Sequence, residues 1–228
     1  MNLIQGVNRL IQSWIGGDAG KWWGEQALDG YPLFRPCDVG FSRYHGTIGA
    51  LIAFFSGRGW SHQFTLVSGS EIAEATTPVG RVTNLRVYMD RKHSMVVYRF
   101  PGSVVSPHYK SLLVGHARGV VGRPYDYTNI ARHLFDSIAN FLFGVRPLAQ
   151  YVKDADGAGK NVCSEWWGWV WFFVTGWPFN PGAPISKLPK VKQGQETPAQ
   201  NYGRTIELGA VKVFEMRRGK IVYIAEDF

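Results

Sequence analysis

The 228-residue chain reads as an α+β protein. Segments with strand alternation and β-branched residues gather between about residues 62 and 100 and return near the C-terminus. Helix-period segments lie on either side of these groups instead of alternating with single strands, which is the α+β pattern and not the α/β one. Hydrophobic residues make up 45% and aromatics 14%, enough to fill a sizeable core and to argue against a disordered chain.

The elements follow in order. Residues 1–15 place Leu3, Ile4, Val7, Leu10, Ile11, Trp14 and Ile15 three and four apart, an apolar helical stripe stopped by Gly16 and Gly17. Such a helix docks either on its own domain or on a partner protein. Its polar face carries Arg9 alone, not the basic band of a membrane-surface helix. Pro36 marks a turn, followed by a short strand, a helix around residues 46–56, a Gly-rich turn, and a strand opening at His62. "SEIAEATTPVGRVTNLRVYM" and "SMVVYRFPG" continue as strands. "SPHYKSLLVGHARGVVG" and "YTNIARHLFDSIANFLFG" predict helices, one after Pro107 and one after Thr128. A polar loop at 153–160 precedes a Trp-rich helix opened by Cys163, with Asn161 as its candidate cap. A Pro/Gly-rich stretch at 178–203 leads to a hairpin turning near Gly219.

The formal charge is +8 and the basic residues are dispersed, which favours solubility and weak attraction to an anionic polymer. No zinc spacing, phosphate loop or RNA-binding aromatic signature is present, so no metal, cofactor or nucleic-acid partner is expected. Cys37 and Cys163 make no disulfide framework. The first twenty residues do not read as a signal peptide, and no stretch reads as a clean transmembrane span.

Cys163 has two readings. A free cysteine ahead of Trp, Val and Phe is commonly a small core residue. Alternatively, the positive end of a helix stabilises a thiolate there, and the backbone N–H can serve as an oxyanion donor. A nucleophile needs a base. Of six histidines, His62 is set apart because it opens a strand at a sheet end, with Phe64 and Leu66 anchoring the strand on its face. The base needs an orienting group. Glu71 and Glu74 follow on the next strand, and a hairpin turning at Gly69 would bring Glu74 alongside. A solvated strand glutamate is the plainer alternative.

"PCDVGF", "GWSHQFTLV", "IAEAT", "GRPYDYTNI" and "NVCSEWW", in that order, resemble the circularly permuted branch of the NlpC/P60 papain-like superfamily. Cys37 stands in the turn where that family has glycine, and Val162 stands where relatives often carry an aromatic residue. The resemblance covers about residues 30–205, including "ETPAQNY". It implies a papain-like core whose central antiparallel sheet packs against the cysteine-bearing helix. Residues 1–29 would be an N-terminal helix and connector, and residues 206–228 a C-terminal hairpin.

By that resemblance Cys163 is the nucleophile, His62 the base and Glu74 the orienting group, with Ser61, Tyr125, Asp126 and Ser164 lining the cleft. The implied activity is a cysteine peptidase or amidase working through an acyl-enzyme. The first expectation is a peptidoglycan stem-peptide endopeptidase carried in a phage tail or similar assembly, docked by the N-terminal helix or a Trp-rich surface. The alternatives are an intracellular (cytoplasmic) amidase, a lipid-directed thiol hydrolase or acyltransferase, and a non-catalytic structural or docking subunit that keeps the fold.

Overall fold

The structure is a computed structural model that describes residues 33–47, 49, 59–125, 163–175 and 198–225. The helix expected over residues 1–15, the helix after Thr128, the Asn161 cap and most of residues 46–56 lie outside the described residues.

Among the described residues seven strands form one sheet, with every neighbouring pair antiparallel. They are β1 (Val39–Tyr44), β2 (His62–Leu66), β3 (Glu71–Glu74), β4 (Arg81–Asn84), β5 (His93–Arg99), β6 (Val211–Arg217) and β7 (Lys220–Ile224). Their order across the sheet is β4-β3-β2-β1-β5-β6-β7. The C-terminal hairpin therefore joins the same sheet, through β6 against β5. Three helices are described: α1 (Pro107–Arg118), α2 (Cys163–Thr175) and α3 (Pro198–Glu207).

Strand alternation divides the core between the two sheet faces. On one face Val39 and Phe41 of β1 and Val96 and Tyr98 of β5 pack with α1 and α2. The α2 side of that contact is Cys163, Trp166, Trp167, Val170 and Trp171, the three-and-four spacing of one helical stripe. Trp167 is the largest fully buried side chain among the described residues, and cutting such a residue to alanine costs about 3–5 kcal/mol. On α1, Leu113 and Ala117 face inward one turn apart, and Ser106 caps the helix by accepting from the Tyr109 N–H ahead of Pro107. On the other face Phe64, Leu66, Met95 and Val97 pack with Phe34, Tyr88 and Phe214.

Two sequence expectations change. "LRVYM" is not strand: after β4 the chain tightens into a 3-10 turn, Leu85–Tyr88, because the Asn84 side chain accepts from the Arg86 N–H and bends the backbone out of the ladder. The end of the stretch read as Pro/Gly loop is helical from Pro198, since proline suits a first helical turn and Asn201 and Thr205 bury one turn apart.

The turn at Cys37 has a backbone reason. Cys37 sits at φ 73°, the left-handed conformation glycine adopts most easily. Its N–H donates to the Leu66 carbonyl at 2.8 Å. Next to it, Asp38 forms a buried two-point ion pair with Arg99, Nε to Oδ1 at 2.8 Å and Nη2 to Oδ2 at 2.7 Å. That pair ties the entry of β1 to the end of β5. Gly40 must lack a side chain, because a Cβ there would fall inside the Phe64 ring lying across β1.

Candidate functional site

The β2–β3 hairpin places the first two groups. Val67 N–H bonds the Glu71 carbonyl across the turn, and Thr65 pairs with Ala73, so Glu74 comes back alongside β2. His62, first residue of β2, reaches it: Nε2 lies 2.8 Å from Glu74 Oε2. The His62 imidazole is also hydrogen-bonded to the side chain of Cys163, the first residue of α2. With Nε2 turned to Glu74, Nδ1 remains to face the sulfur. The structure thus gathers Cys163, His62 and Glu74, from three separate parts of the chain, into one continuous array.

Glu74 is wholly buried yet fully partnered. Arg81 donates through Nε to Oε1 at 2.8 Å, and the Tyr88 hydroxyl donates to Oε2 alongside His62. Burial by itself would raise the carboxyl; the bonds from His62, Tyr88 and Arg81 more than offset it and hold Glu74 at about 2. Burial likewise disfavours the His62 cation, but the charge and hydrogen bond of Cys163, followed by those of Glu74, push it up to about 10. Tyr88 is driven well above the ordinary phenol range by burial and by the Glu74 charge, so it remains a donor. The array favours an imidazolium between two anions, the state in which a cysteine is most nucleophilic at neutral pH.

Tyr88 and Arg81 were not among the sequence candidates. Arg81 carried a signal, because β4 pairs with β3 and sets Arg81 directly across from Glu74. Tyr88 carried none, since it falls in the segment read as strand; the 3-10 turn swings its ring over the sheet. There it stacks on Phe64 at 5.1 Å and on the His62 imidazole at 5.8 Å. Glu71, the other carboxylate weighed from the sequence, meets Arg118 at 3.4 Å, away from the array.

The remaining sequence candidates divide. Ser61 is tied to β1, its N–H donating to the Ser42 carbonyl at 3.0 Å, which fixes the approach to His62. Tyr125 packs against the cluster containing Cys163 and is held by a backbone bond to Pro78. Asp126 and the Ser164 side chain lie outside the described residues. Beside His62, Gln63 points to the opposite sheet face and accepts from Asn201 Nδ2 at 2.9 Å, joining β2 to α3 inside the core. Cys163 is 6% exposed and the His62 side chain 14%, so solvent reaches the pair only narrowly.

Neither cysteine is in a disulfide. Cys37 makes the contrast: burial first, and then the neighbouring Asp38 charge, push its thiol up to about 12. Among the described residues no group of three or more His, Cys, Asp or Glu forms a metal-binding cluster, and no helix is long and apolar enough to cross a membrane.

No family model and no curated protein matches the chain. Among solved structures it is similar to the metalloprotein yiiX from Escherichia coli O157:H7, described as DUF1105. The TM-score is 0.47 and the identity 18%, over 64% of this chain and 69% of that one. A likeness at that level assigns no activity, and the functional reading rests on the residues themselves.

Proposed function

We propose that the chain is a papain-like thiol hydrolase that cleaves an amide by way of an acyl-enzyme. The observation that carries this reading is the imidazole of His62, bonded on one side to Cys163 and on the other to buried, ionised Glu74. In the proposed reaction the Cys163 sulfur attacks the carbonyl carbon and forms a thioester while the C–N bond breaks. The departing nitrogen takes its proton from the His62 imidazolium. Neutral His62 then removes a proton from water, the hydroxide displaces sulfur, and the acid product leaves with the ion pair restored. Glu74 remains ionised throughout, holding the ring and stabilising its cation. The positive end of α2 supports negative charge at the sulfur.

For the substrate we propose a peptidoglycan stem-peptide amide. The support is the excess of eight positive charges, which suits a wall polymer bearing free carboxylates. The test is release of new amines from purified peptidoglycan. Native chain should release them, and Cys163→Ala and His62→Ala should each lose about a thousandfold or more of the rate. Equal release by Cys163→Ala overturns the reading.

A further inference from the structure

A cavity of about 860 Å³ opens on the sheet face that carries the helices, at the sheet end where β2 starts: Arg43 in its wall follows Ser42, the register partner of His62. Its lining is unusually basic. Arg43, Lys212, Arg217, Arg218 and Lys220 converge on it from β1, β6, the β6–β7 turn and β7, with Glu215 the single carboxylate in the wall among the described residues. Glu215 is already engaged, taking Lys212 at 2.7 Å and Arg217 at 2.8 Å. Arg43, Arg218 and Lys220 have no carboxylate partner among the described residues. Arg43 Nε is, besides, buried with no hydrogen-bond partner, a costly state for a guanidinium unless something anionic completes it.

Trp60, Tyr98 and Tyr202 add aromatic surface to the wall. Trp60 and Tyr202 stand with ring centroids 5.7 Å apart, and the Tyr98 and Tyr202 hydroxyls lie 3.3 Å apart, offering donors beside the cations. Trp60 is two residues ahead of His62, and both Trp60 and Tyr202 pack on the cluster that contains Cys163. The positive field is felt by His45 on the rim, whose imidazole is lowered by burial and then by Arg218 and Arg43. Guanidinium groups with hydroxyl donors suit a planar or tetrahedral oxyanion.

We propose that this cavity is a substrate subsite that binds an oxyanion, a carboxylate or phosphate carried by the acyl compound cleaved at Cys163. The proposal rests on the catalytic reading of Cys163 and adds the charge class of its substrate. A basic cavity of this extent suits an anionic group on a small or terminal segment; a nucleic acid backbone would need a continuing basic track.

The test compares iodoacetate, an anion, with neutral iodoacetamide as alkylators of Cys163. In the double variant Arg218→Asn and Lys220→Gln, the ratio of iodoacetate to iodoacetamide rates should fall about fivefold. Both positions are exposed, and asparagine suits the left-handed backbone at Arg218, φ 49°. In the native chain, inorganic phosphate or glutarate should slow iodoacetate labelling, and whichever acts at lower concentration names the oxyanion. Phosphate should also raise the melting temperature of the native chain and not that of the double variant. An unchanged ratio, or protection by neither anion, overturns the proposal. If iodoacetamide labels Cys163 no faster than free cysteine, the catalytic reading fails instead, and the phosphate-dependent melting shift still decides the cavity.

Discussion

His62 and Glu74 are joined by a bond of 2.8 Å between Nε2 and Oε2, across a two-strand hairpin, with the carboxylate wholly buried. The bond matters because it orients the imidazole that meets Cys163 and adds to the larger effect of Cys163 in keeping that imidazole charged. An isolated buried carboxylate would be neutral and would orient the ring only weakly; three donors keep this one charged.

The pair makes stability depend on pH in a definite window. His62 is raised from its ordinary 6.5 to about 10, so its contribution is whole below 6.5 and is lost as pH rises through about 10. Glu74 is lowered from 4.5 to about 2, so its contribution is whole above 4.5 and is lost as pH falls through about 2. Both are whole between about 4.5 and 6.5. The melting-temperature gap between the native chain and Glu74→Gln, followed by calorimetry against pH, should be widest there and narrow on either side. A gap that does not vary with pH would show that the carboxylate is not ionised against His62.

Tyr88→Phe should separate the hydroxyl from the ring. The phenyl group retains the stack on His62 and Phe64, while Glu74 loses one of its three donors. We expect about 1–3 kcal/mol of lost stability in urea unfolding. Amide hydrolysis should fall about tenfold, and the acid limb of its pH profile should move upward as the Glu74 carboxyl becomes easier to protonate. An unmoved acid limb would mean that Tyr88 only packs.

The two cysteines should react very differently. Cys37, pushed up to about 12, should escape iodoacetamide until the chain is unfolded in concentrated guanidinium. Cys163 should be modified in the native chain, and its rate should persist well below the ordinary thiol range near pH 8.5 because its partner is an imidazolium. Peptide mapping by mass spectrometry at several pH values reads both. If labelling of Cys163 follows the titration of a free thiol, the ion pair is absent.

Asp38→Asn should cost about 3–5 kcal/mol in urea unfolding, since it removes the carboxylate countercharge from the buried Arg99 guanidinium. The denaturant slope should stay as in the native chain, marking loss of stability without a change in compactness. A loss under about 1 kcal/mol would mean that Arg99 finds another partner or reaches water.

The sequence alone determined whatever depends on local period and turn chemistry. Alternation marked β2 and β3, the Gly69 turn set Glu74 beside β2, and the Trp-rich run at three-and-four spacing marked α2 with Cys163 at its head. Only the tertiary structure decided what those elements meet. The 3-10 turn that lays Tyr88 over His62 depends on the Asn84 side chain accepting from the Arg86 N–H, which strand propensity does not register. The charge on Glu74 and the basic cavity depend on distances between groups far apart in the chain, Arg43 against Arg218 and Cys163 against His62. Electrostatic interaction follows separation in space and local dielectric, and neither is encoded in spacing along the chain.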